Sequence, residues 1–499
     1  MEDLIIEFKD YMERIRMFSS ASAILGFDSS TIAPRGSVKS RAKRSGFFAM
    51  ELHNMATSEK MKGLLEGLGE HVQQLDDVSK GLYRIAHKRY EISTCLPAEL
   101  VKRSAQLSRE AMSVWEDARE KNDFSLFAPY LKELIQLEKE KISYLKTPGQ
   151  NPYDVLLDDF EEGMNTQIYD DFFDKLKDGI VPLLKKIQNS KKTIRTDFLS
   201  WPVPIEDQKQ ISLWIADKIG YDLNRGHISE SVHPFCSSSD KYDARITTRY
   251  TENDFQSAFY GILHECGHAI YEQNTHDDYA YLPLGSGASM GMHESQSRFY
   301  ENMIGRSLPF WEAISDDLKT FLPKIFKDIT PLEFFEALNV ATPSFIRVEA
   351  DELTYSLHIL IRYEIEKMLF TQDIDVADVP GIWNSKYEEY LGITPPTDTL
   401  GVLQDMHWSG GAFGYFPTYA LGSAYSAQLY AYMKKELDVD SIIKSGDFSQ
   451  ITDWLARHIH IHGSVYTPTE LIKKINGEPL NADYYIDYLV SKFSKIYQL

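Results

Sequence analysis

Cysteine is scarce in this 499-residue chain. The three present, Cys95, Cys236 and Cys266, are odd in number and far apart, which argues against a disulfide framework and fits a reducing compartment. No uninterrupted apolar run of about 18 residues occurs, so no segment reads as a membrane-spanning helix. The N-terminal stretch MEDLIIEFKDYMERIR opens with acids and lacks the basic start and apolar core of a signal peptide. Glycine (28) and proline (20) are modest, and neither a repeat nor a low-complexity segment is found, which speaks against fibrous and disordered classes. Positive charge is in deficit: 53 Lys and Arg face 74 Asp and Glu, a formal charge of −21. Such a field repels phosphate backbones and anionic lipid, so neither nucleic acid nor a membrane surface is expected as a partner. A soluble, cytoplasmic protein is the expectation.

What is present is an ordinary globular composition, 43% hydrophobic and 12% aromatic. At about 150 residues per domain the length allows roughly three domains, or one large two-lobed helical unit. From Met1 to about Leu145 apolar residues recur three and four apart, as at Ile5, Phe8, Met12, Ile15 and Phe18, which predicts successive amphipathic helices. Turn-rich breaks fall at Thr147 to Pro152 and at Trp201 to Pro204, with helix resuming near Ile168. Between Gly226 and Tyr250 the period changes to two. HISESVHPF and ARITTRY read as a small β-ribbon, with Arg245, Thr247 and Arg249 on one face. Helical period returns from about Glu252 to the end, apart from a loop at Ile393 to Pro396 and a Gly-rich stretch from Gly410 to Gly422.

After the ribbon, Phe255, Ala258, Phe259, Ile262, Leu263, Cys266 and Ile270 have the spacing of a buried helix. Within it lies His264-Glu265-Cys266-Gly267-His268. Two histidines at i and i+4 stand one turn apart, about 6 Å along the axis, so both imidazoles can reach one ion at roughly 2.0–2.1 Å. Glu265, turned about 100° from His264, borders the open coordination position, where it can take a proton from water. A catalytic zinc site needs a third protein ligand. Glu272 continues the stripe but lies about 12 Å from His264 along the axis. The downstream stretch GASMGMHESQSRFYENMIG reads as another helix carrying His293, Glu294 and Glu301. Chemistry favours Glu294, with Glu301 the alternative; spacing alone leaves the two open.

These residues stand in a larger pattern. His233-Pro234-Phe235, Asp243-Ala244-Arg245-Ile246-Thr247, the HECGH segment and His293-Glu294-Ser295 come first. They are followed by Ile346-Arg347-Val348-Glu349-Ala350-Asp351 and by Gly401-Val402-Leu403-Gln404-Asp405-Met406-His407-Trp408. In that order the six motifs resemble those of the M32 metallocarboxypeptidases, the carboxypeptidase Taq family. LGFDSSTIAPRGSVKSRA is similar to the family's WD-x-x-T-x-x-P-x-G segment, with Phe27 where Trp is usual. Cys266 stands where the family often has an apolar residue, and buried it would act as a small hydrophobe.

The resemblance implies one zinc per chain, replaceable by cobalt, held by His264, His268 and Glu294, with Glu265 as general base. It implies a mainly α, two-lobed, neurolysin-like fold with a deep groove and a small antiparallel sheet near the site. Residues 1–499 would then be a single catalytic unit, because motifs from residue 233 to residue 408 are expected to converge on one metal. It also implies a homodimer.

The tetrahedral intermediate of peptide hydrolysis needs donors for its oxyanion. His407 and Tyr415 or Tyr419 are the candidates, and packing within an aromatic core is the bland alternative. A carboxypeptidase must also bind the free α-carboxylate of its peptide substrate, which calls for the two parallel hydrogen bonds of an arginine. Arg347 is the first choice and Arg245 the second. For each the competing role is an internal ion pair, with Asp351 and Asp243 respectively. The ribbon could take an extended peptide by strand addition, and His233 could hold substrate or ribbon. Three activities follow in falling order: a zinc carboxypeptidase with broad side-chain tolerance, a related zinc endo- or oligopeptidase, and a non-catalytic peptide-binding protein.

Overall fold

Helices dominate the computed structural model, which describes residues 1–499, although a helix at Pro152–Phe160 precedes the resumption expected near Ile168, and 274–289 and 338–354 hold no α-helix within the run expected after Glu252. The first, Glu2–Ser30, buries Phe8, Met12 and Ile15 and leaves Glu2, Asp3 and Arg14 in solvent. None is long and apolar enough to cross a membrane.

The chain folds into two compact units. One comprises Met1–Ser93, Ile194–Leu338 and Tyr425–Leu480. Its core includes Phe8, Met12, Ile15, Leu64, Leu68, Leu82, Leu284 and Val465, all 8% exposed or less. It also holds the only β-sheet, made of β1 (Ile228–Glu230), β2 (Cys236–Asp240) and β3 (Asp243–Thr248) in the order β1-β3-β2. The ribbon expected from sequence is therefore three-stranded and not wholly antiparallel. β1 pairs with β3 in parallel, Ile228 opposite Ile246, whereas β2 pairs antiparallel, Cys236 opposite Ile246. A parallel pair needs a crossover, and β2 with its preceding loop supplies one. β2 is the serine-rich CSSSD, without the β-branched signature that marked ARITTRY. His233-Pro234-Phe235 is loop, and β3 ends before Arg249.

The other unit comprises Thr94–Thr193, Asn339–Ala424 and Asn481–Leu499. Around Tyr363 its helices stack Tyr153, Tyr169 and Phe173, with ring centroids 4.9–5.9 Å apart. Glu366 is fully buried there and accepts three hydrogen bonds of 2.7 Å, from Tyr153 Oη, Trp408 Nε1 and the Gly414 N–H. A buried carboxylate is tolerated only when its lone pairs are met in this way. The Gly-rich stretch is shorter than its composition suggests, because a helix, Pro417–Glu436, starts at Pro417.

Candidate active site

The HECGH residues lie on the helix Phe255–Gln273, whose first turn is capped by Asp254 accepting from Ser257 N–H at 3.2 Å. His293 and Glu294 lie on the helix Met290–Arg298, capped by Ser289 accepting from Met292 N–H at 3.0 Å. These two helices cross with no space for a side chain at Gly267. A Cβ there would come within 2.4 Å of the Gln296 carbonyl oxygen and 2.6 Å of Ser297 Cα. The glycine between the two histidines thus lets the second helix approach closely enough to deliver Glu294.

One donor atom from each of His264, His268 and Glu294 lies within 4.8 Å of the others, which is the separation expected of ligands around one ion. Nε2 of each histidine is 3.6 Å from Oε2 of Glu294. The remaining atoms face outward and are tied down. Glu294 Oε1 accepts from Arg298 Nε at 2.7 Å. His264 Nδ1 is 2.8 Å from Glu301 Oε2, which also accepts from Arg298 Nη1 at 3.1 Å. His268 Nδ1 is 2.7 Å from His293 Nδ1, and His293 Nε2 is 2.8 Å from Glu272 Oε1. Two imidazoles, once His264 has given up its proton, and a carboxylate, each oriented by an outer partner, fit a borderline divalent cation with one open position.

Electrostatics agree with the geometry. Burial disfavours a charged His264, but Glu294 and Glu301 outweigh it and push its pKa up to about 9. Burial and the neighbouring His293 and His264 hold His268 down to about 4. Burial resists ionisation of Glu294 and Glu301; Arg298 and His264 overcome it in both, bringing Glu301 to about 2 and Glu294 below the usual carboxylate range. Glu265, 6% exposed, is pushed up to about 7, by burial first and by Glu294 and Glu301 next, against the opposing pull of His264. A carboxyl poised near neutrality can both accept and return a proton.

Glu272 and Glu301 were weighed from sequence as ligands, and the structure puts both behind the histidines. Glu301 sits on a π-helical turn, Phe299–Ile304, that continues the Met290–Arg298 helix. The role of His293 escaped sequence reasoning, although its place directly before Glu294 and the stripe 264, 268, 272 were available signals.

Arg245, on β3, donates from Nε and Nη2 to the two oxygens of Asp243 at 2.6 and 2.7 Å and stacks 5.3 Å over Phe27. His233 is exposed on the loop between β1 and β2. The other four predicted residues belong to the second unit. Arg347 is 6% exposed and meets Asp405, not Asp351. Its Nε and Nη2 both lie 2.9 Å from Asp405 Oδ1, and Nη1 lies 3.3 Å from Tyr355 Oη. Asp351 is consumed locally, accepting from the Leu353 and Thr354 N–H groups and Thr354 Oγ1 at 2.8–3.0 Å. Asp405 is shared with Arg362, whose Nε and Nη2 donate at 2.7 and 2.6 Å.

His407, Tyr415 and Tyr419 do come together. His407 Nε2 is 3.3 Å from Tyr419 Oη, and the His407 and Tyr415 rings are 5.6 Å apart. The Arg347 guanidinium lies 5.0 Å over the Tyr419 ring. Burial lowers His407 to about 4, with Asp405 opposing and Arg347 and Arg362 adding to it, so the ring is neutral at pH 7 and can act as a hydrogen-bond donor. Glu366 holds the backbone and ring of Gly414 and Trp408, the neighbours of Tyr415 and His407.

Residues 7–493 match the family model of the carboxypeptidase Taq (M32) metallopeptidases. The chain belongs to the M32 metallocarboxypeptidases. Carboxypeptidase 1 of Bacillus subtilis is 45% identical over 494 residues, covering 99% of this chain and 98% of that one. Thermostable carboxypeptidase 1 of Thermus thermophilus is 37% identical, with 98% of each chain covered. The crystal structure of the M32 carboxypeptidase from Deinococcus radiodurans R1 superposes with a TM-score of 0.96 at 34% identity over the full length of both chains. An M32 enzyme is a metal-dependent peptide hydrolase, and the His264, His268, Glu294 group is the cluster of potential ligands this M32 chain presents.

Proposed function

We propose that this M32 enzyme is a zinc carboxypeptidase that removes single residues from the free C-terminus of peptides, with broad side-chain tolerance. The observation that carries the reading is the convergence of His264 Nε2, His268 Nε2 and a Glu294 carboxylate oxygen beside a buried, near-neutral Glu265. The ion, one zinc per chain or cobalt in its place, supplies Lewis-acid polarisation of the scissile carbonyl and acidification of water. Glu265 takes the proton from the attacking water and hands it to the leaving amine, so that the tetrahedral adduct collapses towards products. His407, neutral and paired with Tyr419, is the proposed donor set for the oxyanion, with Tyr415 binding substrate.

Arg347 is the proposed clamp for the terminal carboxylate, and Arg245 is second. Asp405 binds Nε and Nη2 of Arg347 and Asp243 binds the same two atoms of Arg245, so that a carboxylate would approach from the Nη1 side, which on Arg347 also meets Tyr355 Oη at 3.3 Å. His233, on an exposed loop beside the sheet, is proposed to hold substrate. The whole chain is proposed to act as one catalytic unit, as a homodimer in the cytoplasm, on peptides and not on nucleic acid or membrane. The acidic body is proposed to disfavour a C-terminal Asp or Glu.

The test is the time course of product masses from one unmodified peptide and its C-terminally amidated twin. A ladder shortening from the free C-terminus is expected, abolished by a chelator and restored by zinc or cobalt. Equal cleavage of the amidated twin at its last bond would replace this reading with an endo- or oligopeptidase. Equal rates for C-terminal Glu and Gln at low salt would remove the acidic discrimination.

A further inference from the structure

His268 faces the ligand cluster with Nε2, and its other ring nitrogen begins a chain that leads away. His268 Nδ1 is 2.7 Å from His293 Nδ1, and His293 Nε2 is 2.8 Å from Glu272 Oε1. Between two ring nitrogens this close, one donates and the other accepts. The far end sets the direction. Glu272, 3% exposed, also accepts at Oε1 from Ser286 Oγ at 2.7 Å and from the Gly287 N–H at 3.3 Å. Charge-assisted bonds of this kind keep a buried carboxylate an acceptor, so the proton between it and His293 sits on Nε2. For His268 to turn a lone pair at Nε2 towards a cation its proton must sit on Nδ1, and His293 Nδ1, held in place from the far side by Glu272, is the acceptor placed to receive it. His293 has a built place for this. A Cβ on Gly287 would lie 2.6 Å from His293 Cδ2 and 2.9 Å from Tyr271 Cε1.

We propose that Glu272 and His293 are positioning residues which write the metal-ready tautomer of His268 before any ion arrives. The inference rests on the reading of His264, His268 and Glu294 as a metal centre. His264 is oriented directly by Glu301, 2.8 Å from Nδ1, whereas His268 is oriented by a carboxylate one imidazole removed. The two ligands therefore depend on separate anions.

Glu272 supplies its own control. All three of its bonds fall on Oε1, and Oε2 has no hydrogen-bond partner. Glu272→Gln can keep its carbonyl oxygen where Oε1 stands and preserve the chain, whereas Glu272→Leu removes the acceptor. The experiment reads two quantities in each protein. One is the tautomer of His268 in the metal-free protein, from nitrogen-15 shifts of labelled imidazoles. The other is zinc affinity by competition with a chelator.

Wild type and Glu272→Gln are expected to show the Nδ1–H form of His268 and zinc affinities within about threefold of each other. Glu272→Leu is expected to show mixed tautomers and an affinity about 10–100-fold weaker. If Glu272→Leu does not fold, His293→Phe, which also removes the acceptor facing His268, is read by the same criteria. An Nε2–H His268 in wild type, or wild-type zinc affinity in the acceptor-less variant, would overturn the proposal. Wild-type protein that binds no zinc would instead overturn the metal reading, while the tautomer measurement still judges the relay.

Discussion

Gly267 lies flat against the backbone of Gln296: a Cβ on the glycine would stand 2.4 Å from that residue's carbonyl oxygen. The two histidines flanking Gly267 and the Glu294 two residues before Gln296 meet only because this crossing is so close. Neither backbone can swing aside as a flexible side chain could. Gly267→Ala is expected to force the helices apart, costing about 1–3 kcal/mol of overpacking and the stoichiometric metal together. Thermal denaturation and metal analysis of the purified variant check both.

Glu265→Gln should separate binding from chemistry. The amide keeps the shape of the side chain but cannot take a proton from water. Bound metal is expected to stay at the wild-type ratio while kcat falls about 10²–10⁴-fold. A variant retaining near-wild-type kcat would show that another group is the base.

Glu294 and Glu301 both approach His264 but from opposite ring nitrogens, 3.6 Å from Nε2 and 2.8 Å from Nδ1. Glu294→Ala is expected to lose metal outright. Glu301→Gln is expected to retain a full equivalent at about 10–100-fold lower affinity, because an orienting partner is weakened and not a ligand lost. Dialysis against graded chelator separates the two outcomes; stoichiometric zinc in an inactive Glu294→Ala protein would sink the assignment.

Arg347→Lys keeps a cation beside Asp405 and removes the planar fork. Activity on free-carboxylate peptides is expected to fall, through raised KM and lowered kcat, at least tenfold more than activity on amidated twins. An equal loss on both would mean that Arg347 only supports Asp405, and would move the clamp to Arg245, to be tested by Arg245→Lys on the same pair of peptides.

The metal-free protein should titrate in a defined sense. His264, raised from 6.5 to about 9, is protonated at pH 7 and must shed that proton to bind an ion. Calorimetry in buffers of different ionisation enthalpy is expected to find at least one proton released per zinc at pH 7, that of His264 together with part of the one carried by Glu265. The raised pKa also stabilises the fold fully below about 6.5 and loses its effect as pH rises through 9. Glu301, lowered from 4.5 to about 2, contributes above about 4.5 and loses its effect as pH falls towards 2. Both contributions are complete between about pH 4.5 and 6.5, where the denaturant midpoint of the metal-free protein is expected to peak relative to a Glu301→Gln variant.

The sequence by itself determined the helical class, the helix bearing HECGH, the candidate ligands and the family. It could do so because those features are local: an apolar period of 3.6 and an i, i+4 histidine pair are written in neighbouring residues. It also showed two strands of the ribbon's texture, and missed CSSSD because that strand's place depends on pairing with β3 and not on its own propensity. The partner of Arg347 was misjudged for a related reason. Asp351 is near in sequence, but the chain brings Asp405 from 58 positions away, at 2.9 Å. Glu272 and Glu301, legible as acids near a metal motif, took their places behind the histidines only through tertiary structure. Which ring nitrogen meets which carboxylate depends on how closely two helices pack, and that distance is decided by Gly267 and the residues it lies against.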